Sequence, residues 1–213
     1  MNAVSEGEMQ MKIEGRLGKI IEYAIYFGLC AAIISGILVK AGTLQSGYHF
    51  TDDHELIRME YSMKVNGDSV GKTMLSTMQN DLHSRFRPLY WVERVACTAL
   101  FGSNLFYWNI YTALKGILTY ALFIIVARNL RFPRLISVLF ASIIVLGPQF
   151  TPWYRSANQE NTGLLLCAVA LWLISVQYHT GKYQGKLWNL CICISVILCG
   201  LEKESFTLCM PAF

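Results

Sequence analysis

Residues Ile20 to Val39 read IIEYAIYFGLCAAIISGILV and are held between Lys19 and Lys40. At about 1.5 Å per helical residue, a run of ~20 residues matches the ~30 Å hydrocarbon core of a bilayer. The run is long for the apolar part of a signal peptide, and no small-x-small cleavage site precedes the polar stretch that follows. It therefore predicts a transmembrane helix, and the composition around it agrees. Of 213 residues, 54% are hydrophobic, 13% aromatic and 15% charged, against about 25% charged in an ordinary soluble domain. A mean hydropathy of +0.39 with long apolar runs excludes a disordered, collagenous or nucleic-acid-coating protein. At roughly 30 to 40 residues per span with its loop, the length predicts about five spans and no large soluble domain.

Four further apolar runs follow: Leu105 to Val126, Leu135 to Leu146, Thr162 to Tyr178 and Leu187 to Leu201. The last three are shorter than the ~20 residues of an upright span. The expected fold is all-α, a multi-pass transmembrane bundle. Lys and Arg in short connections stay on the cytoplasmic side. Lys12, Arg16 and Lys19, then Arg128, Arg131 and Arg134, then Lys182 and Lys186 mark that side, whereas the opposite loop from Gly147 to Asn161 carries only Arg155. The division expected is a cytoplasmic N-terminus over 1–19, the first span over 20–39, an outer segment over 40–104 and the remaining bundle over 105–213, in the cell membrane. Of seven cysteines, Cys30, Cys167, Cys191, Cys193 and Cys199 lie inside apolar runs, as packing residues rather than a disulfide framework.

The outer segment has a helical pattern of its own. Leu56, Met59 and Met63 form one stripe, and Val70, Met74, Met78 and Leu82 form a second, bounded by Gly67 and Gly71. A third helix is predicted to start at Pro88, which suits a first helical position, and to present Trp91, Val92, Val95, Ala99 and Leu100 as its face. Amphipathic helices of this kind lie in the membrane interface.

Several residues invite chemistry. Asp52 and Asp53, beside His54 and Glu55, follow the first span by about a dozen residues. They read either as helix caps or as a carboxylate acting as general base or holding a phosphate-bridging cation. Arg85, Arg87 and Arg94 gather near Tyr90 and Trp91, a composition suited both to anchoring at the interface and to gripping an anionic head group. Lys115 sits near the middle of the second apolar run and shares a helical face with Trp108, Tyr111, Thr112 and Thr119. An intramembrane lysine faces protein or water, as half of an ion pair or as a ligand contact. Gly67 to Thr73, GDSVGKT, mimics a phosphate-binding loop, but it has three residues between the glycines where that loop needs four. His49, His54, His83 and His179 offer no metal-ligand spacing on one helix.

In order along the chain, YHFTDDHELI (48–57), RFRPLYW (85–91), GPQFTPWYRSANQENTGLLLCAVAL (147–171) and GLEKESFTLCMP (200–211) resemble motifs of the GT-C superfamily of membrane glycosyltransferases. The closest group is the TMTC-like and protein O-mannosyltransferase-like one, whose members carry an F-x-D-D type motif, an R-P-L motif and a K-E motif before a proline. The resemblance implies transfer of a sugar from a polyprenyl-phosphate carrier to an acceptor on the non-cytoplasmic face, usually with inversion. By motif position it puts Asp52 or Asp53 in the catalytic role. Transfer from a lipid phosphate also needs cations opposite the leaving phosphate and a cleft open to lipid. Arg87, Arg155 and Lys203, with Glu204 of the K-E motif and Lys115 of the second span, are the candidates for contact with the substrate, and the cleft is expected between the first and second spans. No cofactor is expected: a divalent cation has too few well-placed carboxylates in the loop to complete a cage. The partners expected are the bilayer and the lipid-linked donor, with no nucleic acid. Such enzymes continue for further spans, so the chain reads as the N-terminal part of a longer protein. The alternative is a non-catalytic multi-pass protein, such as an assembly or flippase-like subunit or an inactive remnant.

Overall fold

The computed structural model describes residues 2–45, 47, 53–147, 158–180 and 185–212, with side chains described for the same residues except 2–16, 180 and 209–212. The described residues form eight α-helices and no strand: α1 (Asn2–Lys40), α2 (His54–Lys64), α3 (Val70–Asp81), α4 (Pro88–Phe101), α5 (Leu105–Asn129), α6 (Arg134–Leu146), α7 (Gln159–Thr180) and α8 (Lys186–Glu202), followed by a 3-10 segment over Glu204–Ala212. Leu17–Lys40 of α1, α5, and Gln159–His179 of α7 are each long and apolar enough to cross a membrane. The 13 residues of α6 and the 17 of α8 extend only about 20 and 26 Å.

Polar contacts fix the direction of each helix. At one end of the bundle Glu22 of α1 accepts a hydrogen bond from Arg128 at the close of α5 (2.9 Å) and pairs with Arg134 at the start of α6 (3.5 Å). At the opposite end Asn109, early in α5, donates to the carbonyl of Thr43, just past α1 (2.8 Å). Helix α7 runs parallel to α5, since Thr162, near the start of α7, meets Lys115 in the first half of α5, and Ser175 and Asn129 meet further along both. Helix α8 runs back along α7, with Gln177 bonded to Asn189 and the Cys199 thiol to the carbonyl of Gly163. Thus α1, α6 and α8 run one way and α5 and α7 the other. Helix α5 is central, packing on α1, α6 and α7.

One apolar cluster joins Tyr26, Cys30, Ile34 and Leu38 of α1 to Ile117, Tyr120 and Ile124 of α5, Ala141 and Val145 of α6, and Ala168 of α7. The α1 stripe advances four residues at a time, one helical face. The outward faces of the same helices are also apolar: Ile20, Ile25, Leu118, Leu135, Ile143, Leu187 and Ile197 are all exposed. A bundle that keeps lysine, glutamate and threonine inside and displays leucine and isoleucine outside is built for a hydrocarbon surround.

Helices α2, α3 and α4 form a second unit, capping the end where α1 finishes and α5 begins. Leu56 and Met59 of α2 are buried against Tyr90, Trp91 and Val95 of α4, with Met63 partly buried beside them, as the sequence stripe predicts. Pro88 occupies the first turn of α4, also as predicted. Two faces differ from expectation. On α3, Met74 and Met78 of the expected stripe pack against the same cluster, but Thr73 and Thr77 are buried beside them, while Val70 and Leu82, at its ends, are exposed. On α4, Tyr90, Trp91, Arg94, Val95 and Thr98 face inward, while Val92, Ala99 and Leu100 face outward. The segment resembling a phosphate loop is a helix start: Ser69 accepts from the Lys72 N–H (3.2 Å), and Asp68 accepts from both Ser62 and Lys72. Gly102 ends α4 at φ 62°, ψ −148°, a conformation restricted to glycine.

Candidate functional site

A set of buried and half-buried charged side chains converges where α4, the first half of α5, the start of α7 and the close of α8 meet. Lys115 is buried and donates to Glu93 Oε1 of α4 (2.8 Å) and to Thr162 Oγ1 of α7 (2.8 Å), with the Tyr111 ring 4.4 Å from its ammonium. Tyr111 also donates to Glu93 (2.9 Å). The expectation that Lys115 faces protein therefore holds, and the rest of its predicted polar face, Trp108, Thr112 and Thr119, is buried with it.

Arg87 stands at the start of α4, nine-tenths buried. It makes a two-pronged pair with Asp81 of α3 (Nε to Oδ2 3.0 Å, Nη2 to Oδ1 2.7 Å) and reaches Gln159 at the start of α7 (2.6 Å). Its guanidinium lies 4.9 Å from the Tyr90 ring centre. Burial pushes the Asp81 carboxyl up, but the bonds and charge of Arg87 outweigh it and hold the group below the usual range. Lys203 bonds Glu160 at the start of α7, and the more exposed Glu204 lies 3.8 Å from Arg85. Arg94, in α4, donates to the Tyr90 hydroxyl and pairs with Glu55 (3.6 Å).

Glu202 ends α8, one residue beyond the apolar run that closes at Leu201. It is fully buried, and neither carboxyl oxygen has a hydrogen-bond partner among the described residues; Glu93 Oε2 and Glu160 Oε2 are also buried and unbonded there.

Of the predicted site residues, Arg87, Lys115, Lys203 and Glu204 come together at this end of the bundle, each already joined to an acidic or basic partner. Asp53 takes the N-cap position of α2, yet its side chain makes no capping bond and is buried. Asp52 and Arg155 lie outside the described residues. The acids Asp81, Glu93, Glu160 and Glu202 were not singled out by the sequence. The available signal was Lys115 itself, because a lysine at that depth needs a buried acid and none stands within its own apolar run. Among the described residues no group of three or more His, Cys, Asp or Glu side chains is placed to hold a metal ion.

Two hollows flank the Asp81 and Trp91 side chains. One, about 220 Å³, is largely apolar, lined by Leu75, Met78, Leu82, Phe86 and Pro88, with Arg85 and Arg87 also in its wall. The other, about 170 Å³, is polar and lies between α2, α3 and α4. The apolar hollow lies between α3 and the start of α4, while α1 and α5 share a packed core. No family model, curated protein or solved structure matches the chain.

Proposed function

We propose that the chain is a GT-C type glycosyltransferase, or its N-terminal module, taking a sugar from a polyprenyl-phosphate carrier at the non-cytoplasmic face. The observation that carries this reading is the apolar groove walled by Leu75, Leu82 and Phe86 and bearing Arg85 and Arg87. Apolar walls suit an isoprenoid chain, and guanidinium groups match the oxygens of the phosphate that joins chain to sugar. Arg85 is about half exposed and holds Glu204 only at 3.8 Å, so it can turn to a phosphate at small cost. Arg87, tied to Asp81, holds the wall in place.

In the reaction, the acceptor hydroxyl attacks the anomeric carbon and its proton passes to a carboxylate, Asp52 or Asp53 by the motif. The bond from that carbon to the phosphate oxygen breaks, and the polyprenyl phosphate leaves with the electron pair toward Arg85. In this reading α1, α5, α6, α7 and α8 all cross the bilayer, with α6 and α8 completed by flanking residues. The end bearing Glu22, Arg128 and Arg134 is cytoplasmic and the α2–α4 unit is outside, as the short-loop charges require.

Binding of farnesyl phosphate and of farnesol to the full chain in phosphatidylcholine nanodiscs tests the groove. The phosphate is expected to bind about tenfold tighter, the worth of one charge-assisted contact, and Arg85→Ala to abolish that preference. Equal binding of phosphate and alcohol, or a preference untouched by Arg85→Ala, contradicts the assignment.

A further inference from the structure

The polar hollow on the other side of Asp81 and Trp91 is not used by the lipid donor. We propose that it binds a saccharide, the hydroxyl-rich head of the acceptor; its role as acceptor rests on the transferase reading above, but its affinity for sugar does not. The hollow is drawn from three helices, with Glu55 and Arg58 on α2, Thr77, Asn80 and Asp81 on α3, and Trp91 on α4. Its volume of about 170 Å³ is several times the ~30 Å³ share of one water, room for one sugar ring.

The lining chooses among ligand classes. Two carboxylates, Glu55 and Asp81, disfavour a phosphate or other anion. Arg58 in the wall, with Arg94 3.6 Å from Glu55, disfavours a cation. Donors and acceptors in mixed array match a neutral polyol, each of whose hydroxyls donates once and accepts twice. Arg58 and Asn80 are exposed donors, and the carboxylates of Glu55 and Asp81 accept. The Thr77 hydroxyl donates to the carbonyl of Thr73 and keeps a lone pair for the ligand. Trp91 supplies an apolar surface for the C–H face of a ring. Asp81 and Trp91 wall both hollows, so a sugar here lies one side chain away from a donor phosphate in the groove.

The test is ligand-observed saturation-transfer NMR on the full chain in phosphatidylcholine nanodiscs, with the methyl glycosides of glucose, galactose, mannose and N-acetylglucosamine in solution. A second arm carries glucosyl-diacylglycerol in the nanodisc. Saturation of ring protons is expected in at least one arm, and which arm responds tells a free sugar from a membrane-borne one. Arg58→Ala and Asn80→Ala, both at exposed helical positions that alanine fits, are expected to weaken binding at least tenfold, and Lys72→Ala to leave it unchanged. Absence of ring-proton saturation with every sugar overturns the proposal, as does binding equal in all variants, or saturation of a serine-rich peptide in place of the glycosides. Sugar binding by a protein that transfers nothing contradicts the transferase reading and leaves this site standing. Transfer whose acceptor KM is unmoved by Arg58→Ala and Asn80→Ala overturns the site alone.

Discussion

Lys115 shows how a charge is kept inside an apolar bundle: Glu93, Thr162 and the Tyr111 ring surround it. Removing one member of such a pair strands the other, at about 3 to 5 kcal/mol, while removing both recovers most of that loss. Lys115→Met is therefore expected to destabilise the protein strongly in detergent-induced unfolding, and Lys115→Met with Glu93→Gln to lie nearer wild type than either change alone predicts.

At the scale of elements, α2 and the start of α4 were legible because their cues are local. Leu56, Met59 and Met63 repeat at helical spacing, and Pro88 fits a first turn. The inward face of α4 was not, for a physical reason. The inward face of α4 meets charged partners as well as apolar ones, Glu55 at Arg94 and Lys115 at Glu93, so it has to carry polar side chains that an apolar stripe does not mark. The apolar stripe picked out Trp91 and Val95, which are buried, together with Val92, Ala99 and Leu100, which are exposed, and it passed over the buried Tyr90, Arg94 and Thr98. The turn from α4 into α5 is the tightest joint. Gly102 has φ 62°, and a Cβ there meets Glu60 Oε1 at 2.5 Å, beside the bond that Glu60 accepts from the Ser103 N–H (2.8 Å). Gly102→Ala is expected to cost about 1 to 3 kcal/mol from the backbone alone, read as a lower midpoint in the same unfolding titration. An unchanged midpoint contradicts the strained joint.

For the whole molecule, the sequence made an all-helical membrane chain legible, since apolar runs of span length have few other readings. It left the polar site obscure, because Glu93 and Glu160 meet Lys115 and Lys203 across 22 and 43 residues of chain, and only the fold brings these pairs together with Asp81 and Glu202. The end of the bundle holding these groups carries the α2–α4 unit, so sidedness decides which face the chemistry serves. Lys64 is an exposed residue of that unit. A cysteine in its place is expected to react with an impermeant maleimide on intact cells, above the background of the native cysteines; reaction only after permeabilisation inverts the orientation. The central claim is sugar transfer, and the direct measurement is movement of a labelled sugar from a polyprenyl-phosphate donor by the wild-type chain and by Asp52→Asn and Asp53→Asn. Asparagine keeps the shape and the capping oxygen, and the Asp53 side chain makes no capping bond to lose. If one of the pair is the base, its asparagine variant transfers about 10²- to 10⁴-fold more slowly at unchanged expression. No transfer by the wild-type chain, or wild-type rates in both variants, contradicts the account.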